Sequence, residues 1–190
     1  MEAIVAIDCK NGIGKNGNMP WHIKEDLQFF KNITLNNVVI MGKNTFFSLS
    51  PNVKNSTPKP LKDRLNVVLT SEPEKYVHYC ENHRNLVFTS NEHIFEDLQK
   101  SRDYILKCYK FLKPDFKIFI IGGETLYTKF APLCNTIWVT HIENDYDCNK
   151  FFNVDIYNNF KSFIINSNEE FTIKKYVRTI QSQQSQEVSC

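Results

Sequence analysis

The chain has 190 residues, 42% of them hydrophobic, and 23 Lys and Arg against 21 Asp and Glu leave a net charge of +2. That length suits one domain with a real core, and no apolar run approaches the roughly 18 residues needed to cross a bilayer. So mild a balance, with lysines scattered among acids and asparagines, gives nucleic acid no basic surface to bind.

Six cysteines, Cys9, Cys80, Cys108, Cys134, Cys148 and Cys190, form no C-x-x-C pair and have no histidine at ligand spacing. This argues against a metal site and a disulfide framework, and the thiols are expected free in a reducing compartment. The opening MEAIVAIDCKNG has no basic leader, so the expected location is the cytoplasm.

In chain order, AIVAI (3–7) is the first strand, followed by GIGKNG (12–17). The latter matches G-x-G-x-x-G, but NMPW follows where the dinucleotide fingerprint needs a helix, so a flexible glycine loop is the better reading. MPWHIKEDLQFFKNIT (19–34) then starts an amphipathic helix. At 100° per residue Ile23, Leu27, Phe30 and Ile33 share one face, and Asp26 sits in the middle of it. An unpaired carboxylate out of water costs several kcal/mol, so Asp26 is a candidate functional residue; the alternative is an acid serving the helix dipole.

NVVIMG (37–42) is a second strand and TFFSLS begins a short helix. The turn between them, VIMGKNTF, puts Lys43 at a helix start, yet it fails the P-loop pattern because position 37 is not glycine and Asn44 replaces Ser/Thr. SPNVKNSTPKPLKD (50–63) is a surface loop. Strands NVVLT (66–70), LVFT (86–89) and KIFIIG (117–122) follow, with a helix around 91–112 before the last.

In KIFIIGGETLYTKFAP (117–132), strand, paired glycines and helix succeed one another. Such a turn lets backbone approach a phosphate closely, although a plain tight turn explains it equally well. Two strand-to-helix turns at carboxyl ends of parallel strands could clamp a pyrophosphate. After residue 135, TIWVTHI, KSFIINS and FTIKKYVRTI are strands without helical spacers.

The expected fold is α/β: a three-layer domain over 1–180, with a central mixed, mostly parallel sheet of about eight strands, antiparallel at its C-terminal end, and helices on both faces. The tail QSQQSQEVSC (181–190) is expected to be disordered or a truncated linker.

Six pieces in order, IVAID with NGIG, MPWHIKEDLQFFK, VIMGKNTFFSL, PLKDRLNVVLTS, IFIIGGETLY and IWVTHI, resemble dihydrofolate reductase across residues 4–142. The resemblance implies hydride transfer from NADPH to C6 of dihydrofolate, with a proton delivered to N5. It matches Asp26 to the acid that binds the pterin 2-amino group and N3, Thr140 to its supporting threonine, and Trp21 to the site of a proton-donating water. Ile4, Val5 and Ile121 fall on the substrate side, with Leu27, Phe30, Leu49 and Leu61 around the aminobenzoyl ring and Arg64 on the glutamate α-carboxylate.

For the cofactor, the resemblance implies Ala6 and Ile13 at the carboxamide and Gly14 starting a loop to Trp21 over the nicotinamide. Gly42, Lys43, Asn44 and Thr45 form a phosphate turn; Leu69, Thr70 and Ser71 a ribose-phosphate strand end. Ile121, Gly122, Gly123, Glu124, Thr125, Leu126 and Tyr127 form the pyrophosphate turn, with a cis bond between the glycines in relatives. Lys43 favours NADPH over NADH. Methotrexate is the implied inhibitor, and the chain is expected to be a monomer or to be joined to thymidylate synthase.

This sequence departs from the family at Asn149 and Lys150, where an acid and threonine usually stand. It also departs at Ser71 and Glu124, where some relatives place a second arginine, and in the longer 50–63 loop. Two alternatives are a pyrimidine-type reductase of the same architecture and a non-catalytic nucleotide-binding module. The joint presence of Trp21, Asp26, Arg64, Thr140 and the double glycine argues against both.

Overall fold

The computed structural model describes residues 1–49, 58–156 and 158–179. In chain order they form β1 (Glu2–Ile7), β2 (Gly12–Gly14), α1 (Lys24–Thr34), β3 (Val38–Gly42), α2 (Lys43–Ser48), β4 (Leu65–Leu69) and β5 (Leu86–Thr89). Then come α3 (Ile94–Lys100), α4 (Arg102–Cys108), β6 (Ile118–Ile120), α5 (Glu124–Phe130), β7 (Thr136–Ile142), β8 (Lys150–Phe151), β9 (Phe160–Ser167) and β10 (Phe171–Arg178). Residues 50–57 of the expected surface loop, and the tail 181–190, lie outside the described residues.

Eight strands make one sheet in the order β5-β4-β3-β6-β1-β7-β10-β9. The first six are parallel, while β10 runs antiparallel to both β7 and β9. Alternation along the strands explains the layers, since successive side chains point to opposite faces. Ile4, Val39, Met41, Val68 and Phe119 pack with Phe46 of α2 and Phe29, Phe30 and Ile33 of α1. Ala3, Val5, Val38, Ile40 and Val67 pack on the other face with Leu98, Ile105, Tyr127 and Phe130 from α3, α4 and α5. The three-layer α/β expectation is met.

Three local features differ from the sequence reading. The helix expected over 91–112 breaks at Ser101 into α3 and α4. Past the break Arg102 donates to the carbonyls of Pro114 and Phe116 and lies 4.0 Å from the Phe116 ring centroid. The glycine loop after β1 is part of an antiparallel ribbon, β2 with β8, and a 3₁₀ helix spans Pro73–Tyr79. No described helix is long and apolar enough to cross a membrane.

The segment leading into β4 is fixed by one side chain. Asn66 is fully buried; its Oδ1 accepts from Leu61 N at 2.9 Å, and its Nδ2 donates to the carbonyls of Leu61 at 2.9 Å and Arg64 at 2.8 Å. Asn85 supports the same two carbonyls from β5's side. Leaving several buried backbone groups without partners is costly. We therefore expect Asn66→Ala to lower the urea-unfolding free energy by about 2 to 4 kcal/mol; a loss under about 1 kcal/mol would show that water takes over those bonds.

Candidate active site

At the carboxyl end of the parallel strands, β1, β3, β4 and β6 deliver their last residues to adjacent turns. Gly42 N donates to Gly122 O at 2.8 Å, which fastens the β3-to-α2 turn to the paired glycines after β6. The Gly122–Gly123 bond is cis, and Gly122 has φ +118°. A Cβ on Gly122 would meet the Tyr127 ring at 3.3 Å, and one on Gly123 would meet Thr45 Oγ1 at 3.2 Å. The two turns therefore abut through backbone, and a side chain on either of the paired glycines would crowd its neighbour. Tyr127 donates its hydroxyl to Ile4 O at 2.7 Å, and burial pushes that phenol well above its usual range.

Asp26, in the first turn of α1, is only 7% exposed. Its Oδ1 accepts the Thr140 hydroxyl at 2.6 Å. Thr140 lies on β7, opposite Ala6 of β1 and Ile173 of β10, so three strands determine where that hydroxyl points. Among the described residues no cation lies within ion-pair distance of Asp26. Burial raises its carboxyl above the usual carboxylate range, and the Thr140 bond offsets only part of that. Trp21 is buried against Ile23, Ile142 and Phe171, with Tyr146 edge-on at 5.2 Å. Its indole Nε1 is buried without a protein hydrogen-bond partner.

The rest of the expected set is dispersed around this centre. Ile4 and Ile121 pack on the α1 face, but Val5 turns to the opposite core, so only its backbone can reach the site. Phe30, Leu49 and Leu61 are half-buried on the α1 face, and Leu27 is 37% exposed rather than packed. Arg64 is 6% exposed, donating Nη1 to Thr34 Oγ1 and Nε to Lys62 O, both at 3.0 Å. Its ring neighbour is Phe30 at 5.9 Å. Burial depresses the guanidinium, the nearby Asp63 acting the other way, and no carboxylate among the described residues pairs with it.

On the other side, Lys43 Nζ stands 5.6 Å from the Tyr76 ring centroid. Asn44, Ser71 and Thr125 are exposed, while Ala6, Ile13, Gly14, Thr45, Leu69, Thr70 and Leu126 are half-buried. Glu124 does something the sequence reading had not anticipated: its carboxylate is bound by Phe151 N at 2.9 Å and Lys150 Nζ at 3.0 Å.

The loop after β2 is held by contacts that no motif announced. Asp8 Oδ1 accepts from Gly12 N and Lys10 N, and Oδ2 from Tyr146 N. Burial alone would raise the Asp8 carboxyl, but these N–H groups and the Cys148 thiol hold it low. Asn149 donates its backbone N–H to Gly14 O and exchanges side-chain bonds with Asn16, at 3.2 Å from Asn16 N and 3.0 Å to Asn16 Oδ1. The unusual Asn149 thus bonds this loop. A short polar residue following a strand end was the only available signal for Asp8.

Fold and site together define an α/β protein with a glycine-turn cradle and a buried, cation-free carboxylate at one end of the sheet. A family model described as Dihydrofolate reductase matches residues 1–184, and the chain belongs to the dihydrofolate reductase family. The dihydrofolate reductase of Ureaplasma parvum is 34% identical over 149 residues, 78% of each chain. The bifunctional dihydrofolate reductase-thymidylate synthase 1 of Arabidopsis thaliana is 33% identical over 159 residues, covering 79% of this chain and 28% of that one. Enterococcus faecalis dihydrofolate reductase, solved with NADP(H) and RAB-propyl, superposes with TM-score 0.66 at 22% identity, covering 94% of this chain and 95% of the other; that likeness is one of fold.

Asp26 also makes a stability prediction. Its folded-state carboxyl lies above the ordinary value of 3.8, so its protonated form is favoured by folding. The stability it contributes is present below the unfolded value and is lost as pH rises through the raised one. Asp26→Asn keeps an acceptor for Thr140 but carries no charge. Its advantage over the native chain in urea unfolding should be near zero at acid pH and grow to about 1 kcal/mol or more at pH 8; a constant difference across that range would show that the charge is not the cause.

Proposed function

We propose that this chain catalyses NADPH-dependent reduction of 7,8-dihydrofolate to 5,6,7,8-tetrahydrofolate, with the residues above in the roles their family positions imply. The observation that carries the reading is the Asp26 carboxylate, buried against Thr140 and with no cation within ion-pair distance among the described residues. An ionised carboxylate accepts two parallel N–H bonds from a planar amidine edge, a charge-assisted pair that offsets desolvation. The pterin 2-amino group and N3 present such an edge.

NADPH, when bound, supplies the hydride for pterin C6. Its pyrophosphate suits the concavity where Gly42 and Gly122 meet, and a Cβ at Gly123, crowding Thr45, would narrow it. Lys43, which has no ion-pair partner among the described residues, is placed for a 2′-phosphate. Asp26 orients the pterin and, by its charge, favours protonation at N5. The Trp21 indole N–H, lacking a protein partner, is suited to hold the water that delivers the proton. Enclosure by the Gly14–Trp21 loop excludes bulk water and fixes the reacting geometry. Arg64 offers the unused side of its guanidinium to the glutamate α-carboxylate as a fork, and Leu27, Phe30, Leu49 and Leu61 supply apolar walls for the aminobenzoyl ring. The same reading places the enzyme in the cytoplasm and makes antifolates such as methotrexate its inhibitors.

The direct test is NADPH oxidation by purified protein with 7,8-dihydrofolate, with NADH in parallel. Dihydrofolate-dependent oxidation blocked by methotrexate is expected; cofactor binding without dihydrofolate consumption would point to another substrate. Asp26→Asn should lower kcat at pH 7 by about 100-fold or more and recover partly at low pH, where substrate arrives already protonated. Unchanged turnover at pH 7 would remove the residue from the mechanism. Arg64→Leu should weaken dihydrofolate and methotrexate by about 2 to 4 kcal/mol and leave NADPH affinity alone; equal losses for both ligand classes would make the arginine structural.

A further inference from the structure

Glu124 opens α5 directly after the paired glycines, but its carboxylate is used by a distant element. Oε1 accepts from Phe151 N at 2.9 Å and Oε2 pairs with Lys150 Nζ at 3.0 Å, across 27 and 26 residues of sequence. These are the two residues of β8. In turn β8 is hydrogen-bonded to β2, Phe151 opposite Gly12 and Lys150 opposite Gly14. Asn149, just before β8, holds Gly14 and Asn16. A continuous set of bonds therefore runs from the glycine turn through Glu124 and β8 to the loop at Gly14–Asn18.

We propose that Glu124 is a positioning residue that couples occupancy of the glycine turn to closure of the Gly14–Asn18 loop. The inference rests on reading that turn as the cofactor's pyrophosphate site. A ligand seated on the turn orders the start of α5 and with it the Glu124 carboxylate. β8 then meets a fixed acceptor rather than a mobile one, so the loop closes at lower entropic cost. The effect is reciprocal: a closed loop holds the turn in its ligand-bound arrangement. One backbone bond and one ion pair that is partly exposed, 28% at Glu124 and 60% at Lys150, limit the coupling to about threefold to tenfold.

The probe is 2′-phospho-ADP-ribose, which carries the adenosine, its 2′-phosphate and the pyrophosphate but no nicotinamide. Hydrogen exchange of the Asn16 amide, followed by NMR, reports loop closure. In the native protein saturating 2′-phospho-ADP-ribose should slow that exchange about threefold to tenfold. Glu124→Ala should bind the probe more weakly by the same threefold to tenfold and, once saturated, keep its thermal midpoint within a few degrees yet show no slowing. Lys150→Met, which leaves the Phe151 bond intact, should keep part of it. Should Glu124→Ala not fold, Glu124→Gln retains an acceptor for Phe151 without the ion pair and should match Lys150→Met. Equal slowing in native and Glu124 variants, or none in the native protein despite bound probe, would overturn the coupling. Failure of 2′-phospho-ADP-ribose to bind at all would instead overturn the cofactor-site reading, and the coupling with it.

Discussion

The structure is arranged around an unfavourable object, a carboxylate buried with a single hydroxyl as partner. Asp26 tolerates that position because Thr140 is held in place by pairing on both sides, to β1 and to β10. The burial that raises its proton affinity also gives a complementary donor edge more to gain by binding there. An adjacent lysine would satisfy the charge and abolish the demand for a ligand. No such lysine stands beside it among the described residues, and Arg64 repeats the pattern with the opposite sign.

The glycine-turn side follows a different principle. There the polar groups are backbone, and a side chain at Gly122 or Gly123 would crowd Tyr127 or Thr45. Rigidity comes from the sheet: Ile121 N bonds Ile40 O and Gly42 N bonds Gly122 O, so the two turns cannot separate without breaking the ladder between β3 and β6. The Asp26 side is shaped by charge and the glycine-turn side by backbone access.

How much of this was legible in the sequence depended on range. Strands and layers were readable because period-two and continuous apolar runs are local signals. Asp26 stood out because an acid on an apolar helix face contradicts its neighbours. Leu27 shares the apolar face by periodicity yet is 37% exposed, because periodicity reports which face is apolar, not whether a partner covers it. The break at Ser101 depended on Arg102 reaching carbonyls at Pro114 and Phe116, contacts no local pattern encodes. Asp8, Asn66 and the bonds of Glu124 to β8 were invisible for the same reason: each depends on partners brought in by the fold.

Those long-range polar contacts also divide the molecule by stability. The bonds of Asn66 are buried between strands, and breaking them means opening the sheet. The bonds of the Gly14–Asn18 loop, by contrast, are mostly exposed: Lys15 with Asp147, Asn16 with Asn149, Lys150 with Glu124. Exposed pairs contribute on the order of 1 kcal/mol or less each, so the loop can open at a cost far below global unfolding. An enzyme that must enclose its reactants and then release a bulky cofactor needs that separation. The glycine turns are fixed by the sheet, while the Gly14–Asn18 loop is held by contacts weak enough to part locally.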